Sequence, residues 1–128
     1  RQMCIRDSSA DDRLSAKTEN AVLEFLRAGP ELSVDALVRL YAPDLTLPAF
    51  SLLVSRWAHD LMRSALGLQP RYFIDENAAI ERLASHTDAK RAAGFCTQAL
   101  SCRRAADHTL NPKQTVESVL LRYKQIFQ

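Results

Sequence analysis

Any metal or proton-transfer chemistry in this chain would have to start from three histidines, three cysteines and fifteen acidic side chains. Zinc ligands come in pairs, a Cys-x-x-Cys or two histidines within one helical turn, because that spacing places two donors on one face. His59, His86 and His108 are far apart, and none lies beside a Cys-x-x-Cys, so no metal spacing is present. Acid–base work by paired carboxyls needs two acids close enough to force their pKa values apart. Asp60, Asp75, Glu76, Glu81 and Asp88 form no pair of that kind. The three glycines are separated, which leaves no backbone cradle for phosphates. Ser101-Cys102-Arg103 sits inside a helical pattern with no inferable base. Surface or capping roles suit the histidines better than catalysis. The sequence therefore supplies no catalytic, cofactor-binding or metal-binding residues.

Phosphate contact is the remaining chemical option. Lys90-Arg91 and Arg103-Arg104 are basic dipeptides on one helical pattern, with Arg71 just outside the preceding helix, and a helical nucleic-acid-binding domain would present this face to phosphate. A solvated face balanced by Asp88 and Asp107 is the simpler reading. A formal charge of +2 adds little pull towards a polyanion.

These side chains must be positioned by a chain of 128 residues, 47% of them apolar, enough for one globular domain with a core. That composition excludes collagen, a disordered tail and a multidomain enzyme. No apolar run approaches the roughly 18 residues of a membrane span. The first eight residues, Arg1-Gln2-Met3-Cys4-Ile5-Arg6-Asp7-Ser8, have no amphipathic period and no secretory order. They resemble the in-frame translation of a transposon-type sequencing adapter, so residues 1–8 are set apart as an artefact and 9–128 are taken as a single domain from a longer protein. With no signal peptide visible, a cytoplasmic protein is expected. Cys96 and Cys102 lie six apart, about 600° around a helix, so they face different ways and read as free, buried or half-buried thiols.

Apolar residues recur at three and four almost throughout, which predicts an all-α bundle of about five to six helices. The first runs from about Arg13 to Ala28 with Leu14, Val22, Phe25 and Leu26 inward, stopping at Gly29-Pro30. Ser33 caps a short second helix through Tyr41. Asp44 and Thr46 precede a third, with Pro48 in its first turn, a stripe of Phe50, Leu53, Val54, Trp57, Leu61 and Ala65, and an end at Gly67. Ser55, Arg56, His59, Asp60 and Arg63 occupy the polar side. Asp75 is expected to cap a fourth helix with Ala79, Ile80 and Leu83 inward, and Thr87 a fifth, Asp88 to about Asp107. Gly94 within the fifth suggests close approach of a neighbouring helix. Asn111-Pro112 opens the sixth, whose buried stripe is Val116, Val119, Leu120, Tyr123 and Phe127.

Three stretches carry a family resemblance: Leu53-x3-Trp57-x2-Asp60-Leu61; Pro70-Arg71-Tyr72-Phe73; and His108-x-Leu110-Asn111-x8-Leu120-Leu121-x-Tyr123-x3-Phe127. In that order and spacing, from about Leu47 to Phe127, the chain resembles the C-terminal domain of the delta-prime subunit of the bacterial DNA polymerase III clamp loader. The resemblance implies a helical collar domain that joins other clamp-loader subunits, of the gamma/tau and delta type, in a ring of five. It also implies that this region has no ATPase activity and no cofactor, meets DNA only indirectly and meets no membrane. The family's Ser-Arg-Cys arginine finger and its zinc cysteines belong to an N-terminal module, and Ser101-Cys102-Arg103 is a different order in a different domain. Trp57 and Tyr123 are expected in the core, and Tyr72 and Phe73 are expected to anchor the connection after Gly67. Apolar positions outside the main stripes, Leu52, Leu66, Leu121 and Ile126, are the candidate subunit interface. For each of them core burial in a wide-faced helix is the equal alternative.

Overall fold

A computed structural model of the chain describes residues 16–33, 35, 46–105 and 111–128. All regular structure among the described residues is helical: α1 (Ala16–Ala28), α2 (Leu47–Ala65), α3 (Asn77–Ala84), α4 (Ala89–Ala105) and α5 (Pro112–Gln125), with 3-10 turns at Gly29–Glu31 and Ile74–Glu76. The expected helical bundle is thus the observed architecture. The adapter-like segment, Leu14, the body of the expected second helix, Asp44, Asp107, His108 and Leu110 lie outside the described residues.

Helix α2 is the axis of the bundle and packs most extensively along α4, with further contacts to α3 and α5. It begins where Thr46 Oγ1 accepts the Ala49 N–H at 3.3 Å, and Pro48 falls in a first turn whose N–H groups lack intrahelical partners. Phe50, Leu53, Val54, Trp57, Ala58 and Leu61 are buried along one stripe. The helix stops because Gly67 takes a φ of 83°, where L side chains are disfavoured. The N–H of Gly67 returns to the Ser64 carbonyl and that of Leu68 to the Arg63 carbonyl, closing the last turn.

Helix α1 contributes Val22, Leu23 and Leu26 to the core, with Phe25 packed against it. It stops at the buried Gly29, whose φ is 60° and whose missing side chain leaves room for Leu83 and Phe127. Helix α3 buries Ile80, Leu83 and Ala84. Helix α4 buries Ala92, Phe95, Cys96 and Ala99. Asn111 opens α5 as expected, its side-chain oxygen accepting the Gln114 N–H at 3.1 Å, and Val116, Val119, Leu120 and Tyr123 face inward.

Three helices meet through one polar chain inside this core. The indole Nε1–H of Trp57 donates to the Tyr123 hydroxyl at 2.9 Å, and that hydroxyl donates to the Leu26 carbonyl at 2.5 Å. Both buried polar tips are satisfied, so two large aromatic side chains enter the core without orphaned groups. Burial drives the Tyr123 pKa far above its ordinary value. The Tyr123 ring also packs against Phe95 and, edge on, Phe127, at 5.3 and 5.1 Å between centroids.

Several expectations are corrected. Asp75 does not cap α3, since it lies inside the 3-10 turn that feeds the helix and makes no capping bond. The cap of α4 is Asp88, whose Oδ1 accepts the Arg91 N–H at 2.8 Å, and not Thr87, whose buried hydroxyl has no partner. Gly94 meets no neighbouring helix: nothing lies within 4 Å of where its Cβ would be. Asp60 and Ser55, assigned to the polar side of α2, are buried. Ile126 is only 6% exposed and belongs to the core, because it keeps helical dihedrals just past α5 and follows Val119 by seven residues and Tyr123 by three, which puts it on the buried stripe.

Candidate functional site

The best-defined polar site is built on Asp60, whose carboxylate is fully buried on α2. Oδ1 accepts the Arg71 N–H at 2.8 Å, and Oδ2 accepts those of Tyr72 at 3.0 Å and Phe73 at 2.8 Å. Three consecutive main-chain donors thus converge on one anion, with His59 Nδ1 a further 3.8 Å from Oδ1, and the N–H groups are what hold the charge out of water. The Phe73 ring then packs edge on against Trp57, 5.4 Å between centroids, so the connection is pinned at both a polar and an apolar point. Phe73 is the anchor expected of it.

Pinning this connection leaves its other side chains outside. Leu66 is 59% exposed, Leu68 49% and Ile74 68%. Leu121, on α5, is 48% exposed. Leu66 and Leu121 are therefore available for contact, Leu52 is half-buried, and Ile126 is not available.

Tyr72 corrects another expectation. Its main chain is held by Asp60, but its ring is 45% exposed and anchors nothing in the core. The ring instead lies among cations, with the guanidinium carbons of Arg56 and Arg71 at 5.2 and 5.8 Å from its centroid and the His59 ring edge on at 5.5 Å. Beside it runs a shallow cleft of about 140 Å³ between α2 and α4, lined by Leu52, Ser55, Arg56 and His59 on one side and Cys96, Leu100 and Arg103 on the other. Burial pushes the Cys96 thiol up, so it contributes there as a small apolar group.

The other candidate residues do not assemble. Among the described residues no group of three His, Cys, Asp or Glu side chains is placed to hold a metal. Cys96 and Cys102 are free, the second within 3.3 Å of the Ser51 hydroxyl. Glu76 pairs with Arg27 at 2.9 Å, and Asp88 and the Gln128 carbonyl engage Arg91. On α4 Lys90 and Arg103 stand about 20 Å apart along the axis and roughly 140° around it, whereas Lys90 and Arg104 are only about 40° apart, so the two dipeptides share a side of the helix through that pair alone. No helix among the described residues is long and apolar enough to cross a membrane.

The burial of Asp60 is missed by the sequence reading, although one signal points to it. It follows Leu53 by seven residues and Trp57 by three, which sets it on the buried stripe. Compared with protein-family models, curated proteins and solved structures, the chain matches none of them.

Proposed function

We propose that this chain is a non-catalytic assembly domain, the collar-type domain through which a subunit resembling delta-prime of the DNA polymerase III clamp loader joins its gamma/tau- and delta-type neighbours in the bacterial cytoplasm during DNA replication. The observation that carries the reading is the Asp60-pinned connection. Trp57, Asp60, the Pro70–Phe73 stretch, Tyr123 and Phe127, which bear the resemblance, belong to one chain of contacts running from Asp60 through Phe73, Trp57 and Tyr123. That chain fixes the backbone from which Leu66, Leu68 and Ile74 project.

Apolar side chains held outward on an ordered backbone suit association, because little conformational freedom remains to be lost when a partner covers them. In this reading the parent complex contains the ATP-driven machinery and this domain supplies a place to attach. The test is calorimetry or light scattering of the chain mixed with the collar domains of its cognate clamp-loader subunits. Association is expected, and a Leu66→Glu/Ile74→Glu variant should weaken it about tenfold or more while keeping the helical circular dichroism, since affinity concentrates in a few positions. No association by the unmodified chain, or undiminished association by the folded variant, would overturn the proposal.

A further inference from the structure

The cleft between α2 and α4 is a different surface from the apolar connection, and it has its own chemistry. Its lining combines apolar Leu52, Leu100 and the buried Cys96 with the buried Ser55 and with His59, and its rim is cationic, Arg56 and Arg103, with Arg71 beside Tyr72 at one end. No carboxylate lines it. The nearest acid on α2, Asp60, is fully buried and spends its oxygens on three main-chain N–H groups. Among the described residues no acidic side chain pairs with Arg56, Arg71 or Arg103.

We infer that this cleft docks an acidic segment of a partner protein, one carrying an apolar side chain between carboxylates. Charge complementarity selects the partner's sign, and the planar donors of arginine suit carboxylates in bidentate geometry. The floor has room for one apolar side chain, which is how a short segment seats in a groove between two helices. A single nucleic-acid strand is the other polyanion that such a rim attracts, but it binds by stacking bases on open aromatic faces. Tyr72, the aromatic residue of the cleft, already holds Arg56 and Arg71 near its ring and His59 at its edge. The arginines are therefore presented for salt bridging and the ring is not presented for stacking. Tyr72 orients the two guanidinium groups, which lowers the freedom they lose on binding.

The probe is a fluorescein-labelled peptide of alternating glutamate pairs and single leucines, titrated with the full chain and followed by anisotropy. Binding is expected, weakening as salt is raised, and the same peptide with glutamine for glutamate should bind at least about tenfold more weakly. Arg56→Ala and Arg71→Ala should each cost about two- to fivefold and together about tenfold, the range for exposed ion pairs. Arg71 meets Asp60 through its main chain, so removing its side chain leaves the clamp in place. Leu100→Glu, in the floor, should abolish binding with helix content unchanged. Lys113→Ala, an exposed cation on α5, should leave it unchanged. The inference fails if the peptide does not bind, if the double arginine variant binds undiminished, or if Lys113→Ala costs as much as either arginine. It fails equally if a twelve-nucleotide oligothymidylate binds more tightly than the peptide and loses that affinity in the same double variant.

Discussion

Replacing Asp60 by alanine removes the acceptor for three successive main-chain N–H groups. Hydrogen bonds to a charged acceptor contribute about 1.5 kcal/mol or more each, so the gross loss is about 4–5 kcal/mol. Two opposing effects reduce it. Arg71 and Tyr72 are exposed residues, so their freed N–H groups can turn to water, and the deletion also removes a buried charge whose desolvation is unfavourable. A net destabilisation of about 3 kcal/mol remains, equivalent to about 12 °C in melting temperature for a domain of this size. Asp60→Asn keeps one acceptor oxygen and turns an amide donor towards the N–H groups, so it should fall near 2 kcal/mol. Urea titration followed by far-ultraviolet circular dichroism gives the free energies. Trp57, the single tryptophan, reports the same transition by fluorescence through its contact with Phe73. Asp75→Ala is the control, an exposed acid in the adjoining turn that caps nothing, and should change stability by under about 0.5 kcal/mol. A loss below about 1 kcal/mol for Asp60→Ala would refute the clamp.

Tyr123→Phe should cost about 1–3 kcal/mol at pH 7, because it strands the buried Trp57 N–H, and urea titration checks it. The raised Tyr123 pKa also sets a pH dependence. The unfolded chain gives up its phenolic proton above about pH 10 while the folded one keeps it, so stability falls with rising pH there, by up to about 1.4 kcal/mol per unit, and Tyr123→Phe should flatten that slope in pH-dependent melts. Gly94→Ala should stabilise by about 0.5–1 kcal/mol in urea titration, since the site is helical, exposed and clear of neighbours. Gly29→Ala should destabilise by more than about 2 kcal/mol, through a positive φ and a clash with Leu83.

Helix periodicity and punctuation carried most of the architecture into view, and the reason is local. The stripe from Phe50 to Leu61, the Gly67 stop and the Asn111-Pro112 start all act within one or two turns of the chain. What stayed hidden depends on partners distant in sequence. Whether Asp60 is solvated or buried turns on three N–H groups eleven to thirteen residues away. Ile126 fits core and interface equally on residue type, and its helical conformation past α5, three residues after Tyr123, decides for the core. Gly94 suggested a tight helix crossing from its residue type alone, whereas the space around it is set by how α4 lies on α2. The choice of Asp88 over Thr87 as a cap is a shift of one residue, within the uncertainty of any helix boundary drawn from sequence. The cleft was the least legible feature, since Arg56, Tyr72 and Arg103 come from three separate stretches and only packing brings them together.

The hydroxyl of Tyr123 reaches back across 97 residues to the carbonyl of Leu26. That contact cannot close until α5 has followed the other described helices out of the ribosome. Helices α1 to α4 emerge with a core that still lacks its α5 wall, and the Trp57 indole waits for an acceptor that has not yet been made. Joining residues so far apart carries a loop-closure entropy before any packing rewards it, so folding should be slower than that of a bundle built only from adjacent hairpins. Chains truncated before Tyr123 should therefore populate collapsed, partly helical states, and the apolar surface such states expose makes them clients for chaperones.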